Sequence, residues 1–315
     1  MLSGGGARGL SHVGVLKVLE RARIPIDVIA GTSMGAIVGG LYASGMGADV
    51  LEAELLRVNW EAVFASRVGR QQLSQRRKEE DIEISPVLEF GMRDGEVRVP
   101  LGALSGRGLE GLLRRYTLPS RLKCDFDSLR IAFRAVATDM ESGLPVVLRD
   151  GDLALALRSS MSVPGVFATT EVGGRILGDS GLVNNLPVDV ARAMGADVVI
   201  VVNIGTPLSG REALGSLSGL TGQMINILAE QNVPQSLLAL KPQDVLITPQ
   251  LGKLTPADFV KTRELIDLGE QGALPELGRV NALAVSEASY AQWCSNHAAQ
   301  VATTPRLAKV RFQGT

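Results

Sequence analysis

Gly31-Thr32-Ser33-Met34-Gly35 sets a serine between two glycines. An apolar run, Ile26 to Ala30, precedes it, and a small-residue run, Ala36 to Ala43, follows. The pattern predicts a strand, a sharp turn and a helix, with Ser33 at the apex as in a nucleophile elbow. Glycine neighbours leave room for a strained serine backbone. A hydroxyl at a helix N-terminus sits where free N–H groups favour developing negative charge. Taken alone, the pentapeptide also fits a structural Gly/Ser turn.

A second segment, Ser3-Gly4-Gly5-Gly6-Ala7-Arg8-Gly9, runs into an amphipathic stretch carrying Leu10, Val13, Leu16, Val18, Leu19 and Ala22. A glycine-rich loop that opens a helix has amides free to hold an anion. Arg8 either fixes this loop or adds positive charge. Gly4, Gly6 and Gly9 also fit a dinucleotide fingerprint, which wants a strand before the loop and an acid closing the next strand. Only Met1-Leu2 precede Ser3, and Asp27 opens its strand instead of closing it. A P-loop is excluded, because no Gly-Lys-Ser/Thr follows.

A serine nucleophile needs a base, usually histidine. The chain has two histidines. His12 lies on the first helix and reads as structural, and His297 lies in a polar tail. A carboxylate is the better candidate. Asp179 closes a short strand in Gly173-Gly174-Arg175-Ile176-Leu177-Gly178-Asp179-Ser180-Gly181, followed by Asn184, Asn185 and Pro187. An Asp in water is a weak base, but in a desolvated site it can take a serine proton while an oxyanion hole carries the charge.

The glycine loop, the elbow and the Asp179 turn resemble, in order and spacing, the patatin-like phospholipase family. Arg134-Ala135-Val136-Ala137-Thr138-Asp139 and Ser162-Val163-Pro164-Gly165-Val166-Phe167 resemble it too. The similarity covers roughly residues 1 to 205. It implies an α/β, three-layer sandwich with a mostly parallel central sheet and helices on both faces. It implies a lipid acyl hydrolase of phospholipase A type, with Ser33 as nucleophile and Asp179 as base. Gly4, Gly5, Gly6 and Arg8 would form the oxyanion hole, with Gly9, Gly31, Gly35, Ser180 and Gly181 as supporting motif residues. It implies no metal and no other cofactor. Two further readings stay open: a Ser–His–Asp triad esterase using His297, and a lipid-binding effector of weak catalysis. The family usually has Asp-Gly-Gly or Asp-Gly-Ala where this chain has Asp179-Ser180-Gly181. If that middle position needs φ > 0, Ser180 strains the turn by about 1 kcal/mol.

The elements that must position these residues follow from the rest of the chain. Its 315 residues are 45% hydrophobic with 36 glycines, enough for one large α/β domain with appendages. The net charge of −1 gives no global pull toward nucleic acid or an anionic membrane. No apolar run reaches the roughly 18 residues of a spanning helix. Cys124 and Cys294 read as free thiols. The expected partners are a phospholipid or other acyl-ester lipid and, transiently, a membrane surface, with no nucleic acid; a homo-oligomer is compatible.

Strands are expected over Leu129 to Thr138, Leu144 to Leu148, Asp197 to Ile204 and Asp244 to Ile247, with helices at Ala48 to Trp60 and Gly151 to Met161. Pro256 to Ala291 reads as largely helical, broken at Gly272 and Pro275. Strand–helix alternation argues for a mostly parallel sheet covered on both faces. The patatin-like domain is expected over 1–302, with a candidate cap at 66–104. That cap includes a hairpin turning at Arg93-Asp94-Gly95 and the basic run Arg76-Arg77-Lys78, read as a solvated loop. Residues 303–315 read as a linker and a strand-like segment with Leu307, Val310 and Phe312, resembling the start of a POTRA-type module. On that reading the protein is secreted or outer-membrane-associated in a Gram-negative bacterium; separately, because the chain opens on the glycine loop with almost no first strand, the natural N-terminus is expected upstream. The alternatives are an ordinary last strand and a cytoplasmic protein.

Overall fold

A computed structural model describes residues 1–65, 91–93, 96–98, 102–104, 106–205 and 208–298. Most of the candidate cap, with Arg76-Arg77-Lys78, lies outside the described residues, as do the domain limit at 302 and the tail. Strands are β1 (Val28–Thr32), β2 (Gly91–Arg93), β3 (Glu96–Arg98), β4 (Gly102–Leu104), β5 (Ala132–Asp139), β6 (Pro145–Leu148), β7 (Gly165–Phe167), β8 (Thr170–Val172), β9 (Arg175–Asp179), β10 (Ile200–Val202) and β11 (Val245–Ile247). Helices are α1 (Ser11–Arg21), α2 (Met34–Ala43), α3 (Ala48–Arg57), α4 (Trp60–Phe64), α5 (Arg107–Thr117), α6 (Leu153–Ser160), α7 (Val188–Ala193), α8 (Leu217–Gln231), α9 (Val233–Leu238), α10 (Thr262–Ala273), α11 (Leu277–Asn281) and α12 (Glu287–Ala298). Among the described residues, no helix is long and apolar enough to cross a membrane.

Leu2 bridges Gly31 of β1 and Val202 of β10, and β10 pairs with β11, all in parallel. β1 runs parallel to β5, from Val28 opposite Ala132 to Thr32 opposite Val136. β6 covers the other edge of β5 as an antiparallel hairpin partner. Beyond Val136 the first edge passes to β9, with Ala137 opposite Asp179 and Asp139 opposite Leu177. β9 is antiparallel to β5 and carries β8 on its far side. The sheet is thus mixed, parallel through the half that bears Ser33 and antiparallel through the half that bears Asp179. The two strands reach the same edge of β5 from opposite ends, and their tips meet between Val136 and Ala137. The described part of the cap region contributes a β2–β3 ladder and β4, which pairs in parallel with β7.

Successive strand residues bury on opposite faces, as a pleated strand requires. Ile29, Ala135, Ala137 and Val202 join the larger apolar cluster, with Leu10, Leu41, Leu157 and Ile266. Their chain neighbours Ala30, Val136 and Val201 join a second cluster with Val188 and Ala191 of α7 and Val233 of α9. That gives the three layers. Helix α2 is buried along its full length against β1 and β5. Its small residues, Gly35, Ala36, Gly39 and Gly40, let it lie close to the sheet directly behind Ser33.

The α-helix expected from Pro256 starts late: residues 256–258 form a turn and Phe259–Lys261 a short 3-10 turn. The Asp258 carboxylate accepts the Thr255 amide and hydroxyl at 2.6 and 2.7 Å, closing a turn, and the helix begins only at Thr262. That turn props the glycine loop, because Pro256 O accepts the Ala7 amide at 2.8 Å.

Candidate active site

Ser33 stands between β1 and α2 at φ 53°, ψ −123°. A non-glycine residue there is strained by about 1–3 kcal/mol. The surroundings hold it in place. A Cβ on Gly31 would come within 2.6 Å of the Gly35 carbonyl, so the elbow closes only with glycine there. The Ser33 amide donates to Ser160 Oγ at 2.8 Å, and the Thr32 hydroxyl donates to the Asn184 carbonyl at 2.8 Å.

The Ser33 hydroxyl donates to Asp179 Oδ2 at 2.6 Å. The other oxygen, Oδ1, accepts the Gly181 amide at 2.7 Å. The Asp179 carbonyl accepts the Thr138 hydroxyl at 2.8 Å, which fixes the strand end. Asp179 is 5% exposed. Burial raises its pKa to about 6, and the donors Ser33 and Gly181 oppose that rise. The carboxylate is therefore charged at neutral pH and a stronger base than a solvated Asp.

Ser180 does not strain this turn. Among the described residues, positive φ at non-glycine positions occurs at Arg23 and Ser33. Ser180 opens a short 3-10 turn, Ser180–Leu182, capped by the Asp179 carboxylate. The expectation of left-handed strain at Ser180 is overturned. Its hydroxyl is buried without a partner and does not hold Asp179 either. A glycine in its place would relieve nothing.

The glycine loop is not used as a block. The Gly4 amide is taken by Asn185 Oδ1 at 3.1 Å. Gly5 and Gly6, at φ 149° and 58°, line the cavity beside Ser33, and no hydrogen bond is found for their amides among the described residues. Gly9 lies in the 3-10 turn behind them. Arg8 points elsewhere: its guanidinium donates to the carbonyls of Gly205, Leu254 and Ile204 at 2.7–2.9 Å. It is buried and fastens the loop to the end of β10, in place of the oxyanion-hole role the resemblance implied.

Neither histidine reaches the serine. His12 Nε2 donates to the Ser3 carbonyl at 2.8 Å under the glycine loop, and burial lowers its pKa to about 4. His297 lies on α12, its Nδ1 donating to the Trp293 carbonyl at 2.7 Å and its ring 4.3 Å from the Trp293 ring.

Ser33 and Asp179 open into a cavity of about 420 Å³, within the range of small-ligand sites. Its walls are mainly apolar: Phe64, Met161, Val166, Phe167, Ile225, Ala229 and Phe259. Phe64 packs on Phe259 and Phe167 at ring separations of 4.6 and 5.9 Å. The arrangement suits attack on a carbonyl that carries a long apolar chain.

Sequence reasoning assigned no role to three residues here. Ser160 holds the strained serine amide. Asn185 holds Gly4. Asn232 accepts the Asn185 amide at 2.7 Å and donates to the Gly181 carbonyl at 3.0 Å, tying the Asp179 turn to the start of α9. The Asn184-Asn185 pair after the Asp179 turn was the one visible signal. Asn185 Nδ2 is buried without a partner, and leaving such a group unpaired costs about 1–3 kcal/mol.

A family model described as patatin-like phospholipase matches residues 1–192. Patatin-like phospholipase domain-containing protein 6 of Mus musculus is 32% identical over 209 residues, covering 65% of this chain and 13% of that protein. Lysophospholipase NTE1 of Kluyveromyces lactis is 29% identical over 292 residues, covering 85% of this chain and 18% of that protein. An uncharacterized NTE family protein of Mycobacterium tuberculosis is 32% identical over 212 residues, covering 67% of this chain and 49% of that protein. The chain thus spans between about an eighth and a half of these relatives. Among solved structures, VipD from Legionella pneumophila superposes with a TM-score of 0.42 at 15% identity, covering 89% of this chain and 66% of that one.

Proposed function

We propose that this chain, which belongs to the patatin-like phospholipase family, hydrolyses the carboxylic esters of glycerophospholipids or lysophospholipids through Ser33 and Asp179. The observation that carries the reading is the 2.6 Å hydrogen bond from Ser33 Oγ to Asp179 Oδ2. Ser33 Oγ attacks the acyl carbonyl as its proton passes to Asp179. The oxyanion is received by the free amides of Gly5 and Gly6. As the tetrahedral adduct collapses, the ester C–O bond breaks and the leaving alcohol takes the proton from Asp179. Water, deprotonated by Asp179, then attacks the acyl-serine, and the fatty acid leaves as Ser33 regains its proton. No histidine lies among the residues lining the cavity, so the triad alternative has no base to use there.

The test is release of free fatty acid from phosphatidylcholine and from its 1-acyl lyso form, with the Ser33→Ala variant as blank. No acid from either substrate would sink the reading.

Helix α8 supports a substrate drawn from a lipid surface. Gly222, Ile225, Asn226 and Ala229 line the cavity. On its other side Leu220, Met224, Ile227 and Leu228 follow helical spacing and are 38–63% exposed. Glu230 is the one charged residue in Leu217–Gln231. We expect Met224→Glu to slow turnover of phospholipid vesicles about tenfold, the factor for 1.4 kcal/mol of lost apolar insertion. Turnover of a dissolved short-chain ester should not change. Equal loss on both substrates would refute the surface role.

A further inference from the structure

Asn185 carries a donor that the fold does not use. Because Oδ1 accepts the Gly4 N–H at 3.1 Å, the oxygen end of the carboxamide is fixed. Nδ2 is the other end, buried and without a partner among the described residues, on a residue 2% exposed. Asn185 lines the cavity together with Ser33, Asp179, Gly5 and Gly6. A Cβ on Gly4 would lie 2.6 Å from Asn185 Oδ1 and 3.1 Å from Ser33 Cβ. The carboxamide therefore sits beside the elbow, at the start of the loop whose next two amides are free. It is held there by the backbone bond to Asn232.

We propose that Asn185 Nδ2 is a third donor of the oxyanion hole, bonding the acyl oxygen alongside the Gly5 and Gly6 amides when substrate is bound. One oxyanion-hole donor is worth about 10²–10³ in kcat. Its Oδ1 meanwhile sets the Gly4 peptide, so one carboxamide orients the loop and adds to it. The proposal rests on Ser33 and Asp179 acting as described above.

Two variants separate the donor from the anchor. Asn185→Asp keeps an oxygen for the Gly4 amide but brings a negative charge. Asn185→Ala loses the anchor and brings no charge. Both lose the N–H donor. We expect kcat on a dissolved short-chain ester to fall by about the same 100-fold in both, with KM within about twofold of the parent. Affinity for a long-chain trifluoromethyl ketone, which adds to the serine as an oxyanion, should fall by the same factor. Affinity for the corresponding carbinol, which cannot add, should hold. Full activity in Asn185→Asp with loss in Asn185→Ala would make Asn185 an anchor only and overturn the proposal. So would a far larger loss in Asn185→Asp, which would mark charge repulsion. If Asn185→Ala does not fold, Asn185→Ser takes its place as the uncharged variant. Ser33→Ala run alongside keeps the underlying reading separate: activity in that variant overturns the nucleophile whatever Asn185 does.

Discussion

The Ser33→Ala variant is expected to fold like its parent and to hydrolyse ester about 10⁶-fold more slowly. The backbone at φ 53° costs alanine about what it costs serine, and the Ser160 hydroxyl still accepts the amide. What disappears is the one hydroxyl that, among the described residues, bonds the Asp179 carboxylate. A bound water does not replace it, because the acyl-serine divides one difficult displacement into two easier ones. The check combines initial rates, labelling by a fluorophosphonate and a thermal melt. Activity above about a hundredth of the parent's in the folded variant would remove Ser33 from the mechanism.

Asp179→Asn should cost about 10⁴-fold, somewhat less than loss of the nucleophile. In the variant the carboxamide oxygen must keep the Gly181 amide, so its nitrogen faces Ser33 and donates to the hydroxyl oxygen. The serine proton then has no base. The parent's kcat/KM should climb with pH to a plateau above an acid limb near 6, where Asp179 ionises, and the variant should lack that limb. Stability carries the opposite sign. The folded pKa of about 6 stands above the ordinary 3.8. The contribution of Asp179 is therefore full below about 3.8 and is lost as pH rises through 6, a loss of about 3 kcal/mol by neutrality. The variant escapes it, so at pH 7.5 it should melt no lower than the parent, and its advantage should fade toward pH 4. A melt far below the parent's at pH 7.5, or an acid limb that survives in the variant, would contradict the assignment.

The parts of this site that lie in short runs were legible in the sequence. Ser33 lies in a five-residue signature, and Gly5 and Gly6 lie in a glycine run at a helix start. The two-sided burial of the sheet could be read from continuous apolar runs such as Val198 to Ile204. Strand direction could not be read that way, because β9, Arg-Ile-Leu-Gly-Asp, is too short to show either a continuous or an alternating apolar pattern while it runs against β5. Ser160 and Asn185 were out of reach for another reason. Their partners, the amides of Ser33 and Gly4, lie 127 and 181 residues away, and no local pattern encodes such a pairing. Arg8 misled because a cation beside a glycine loop suggests an anion site, and only its three carbonyl partners reveal a fastening. Ser180 misled because the turn after Asp179 is 3-10 and needs no left-handed residue.

The meeting of β1 and β9 on one edge of β5 has a consequence in time. Ser33 and Asp179 are 146 residues apart. A ribosome adding about 5–20 residues per second takes roughly 7–30 s to cover that distance. Throughout that interval the growing chain holds the proposed nucleophile and most of the proposed oxyanion loop, but not the proposed base. Synthesis itself delays the proposed hydrolase activity until β9 has emerged and paired with β5. Ribosome-stalled chains that end before β9 should take up no fluorophosphonate, and labelling should begin only once Asp179 has cleared the exit tunnel. Labelling of the shorter chains would show that the serine is activated without its partner.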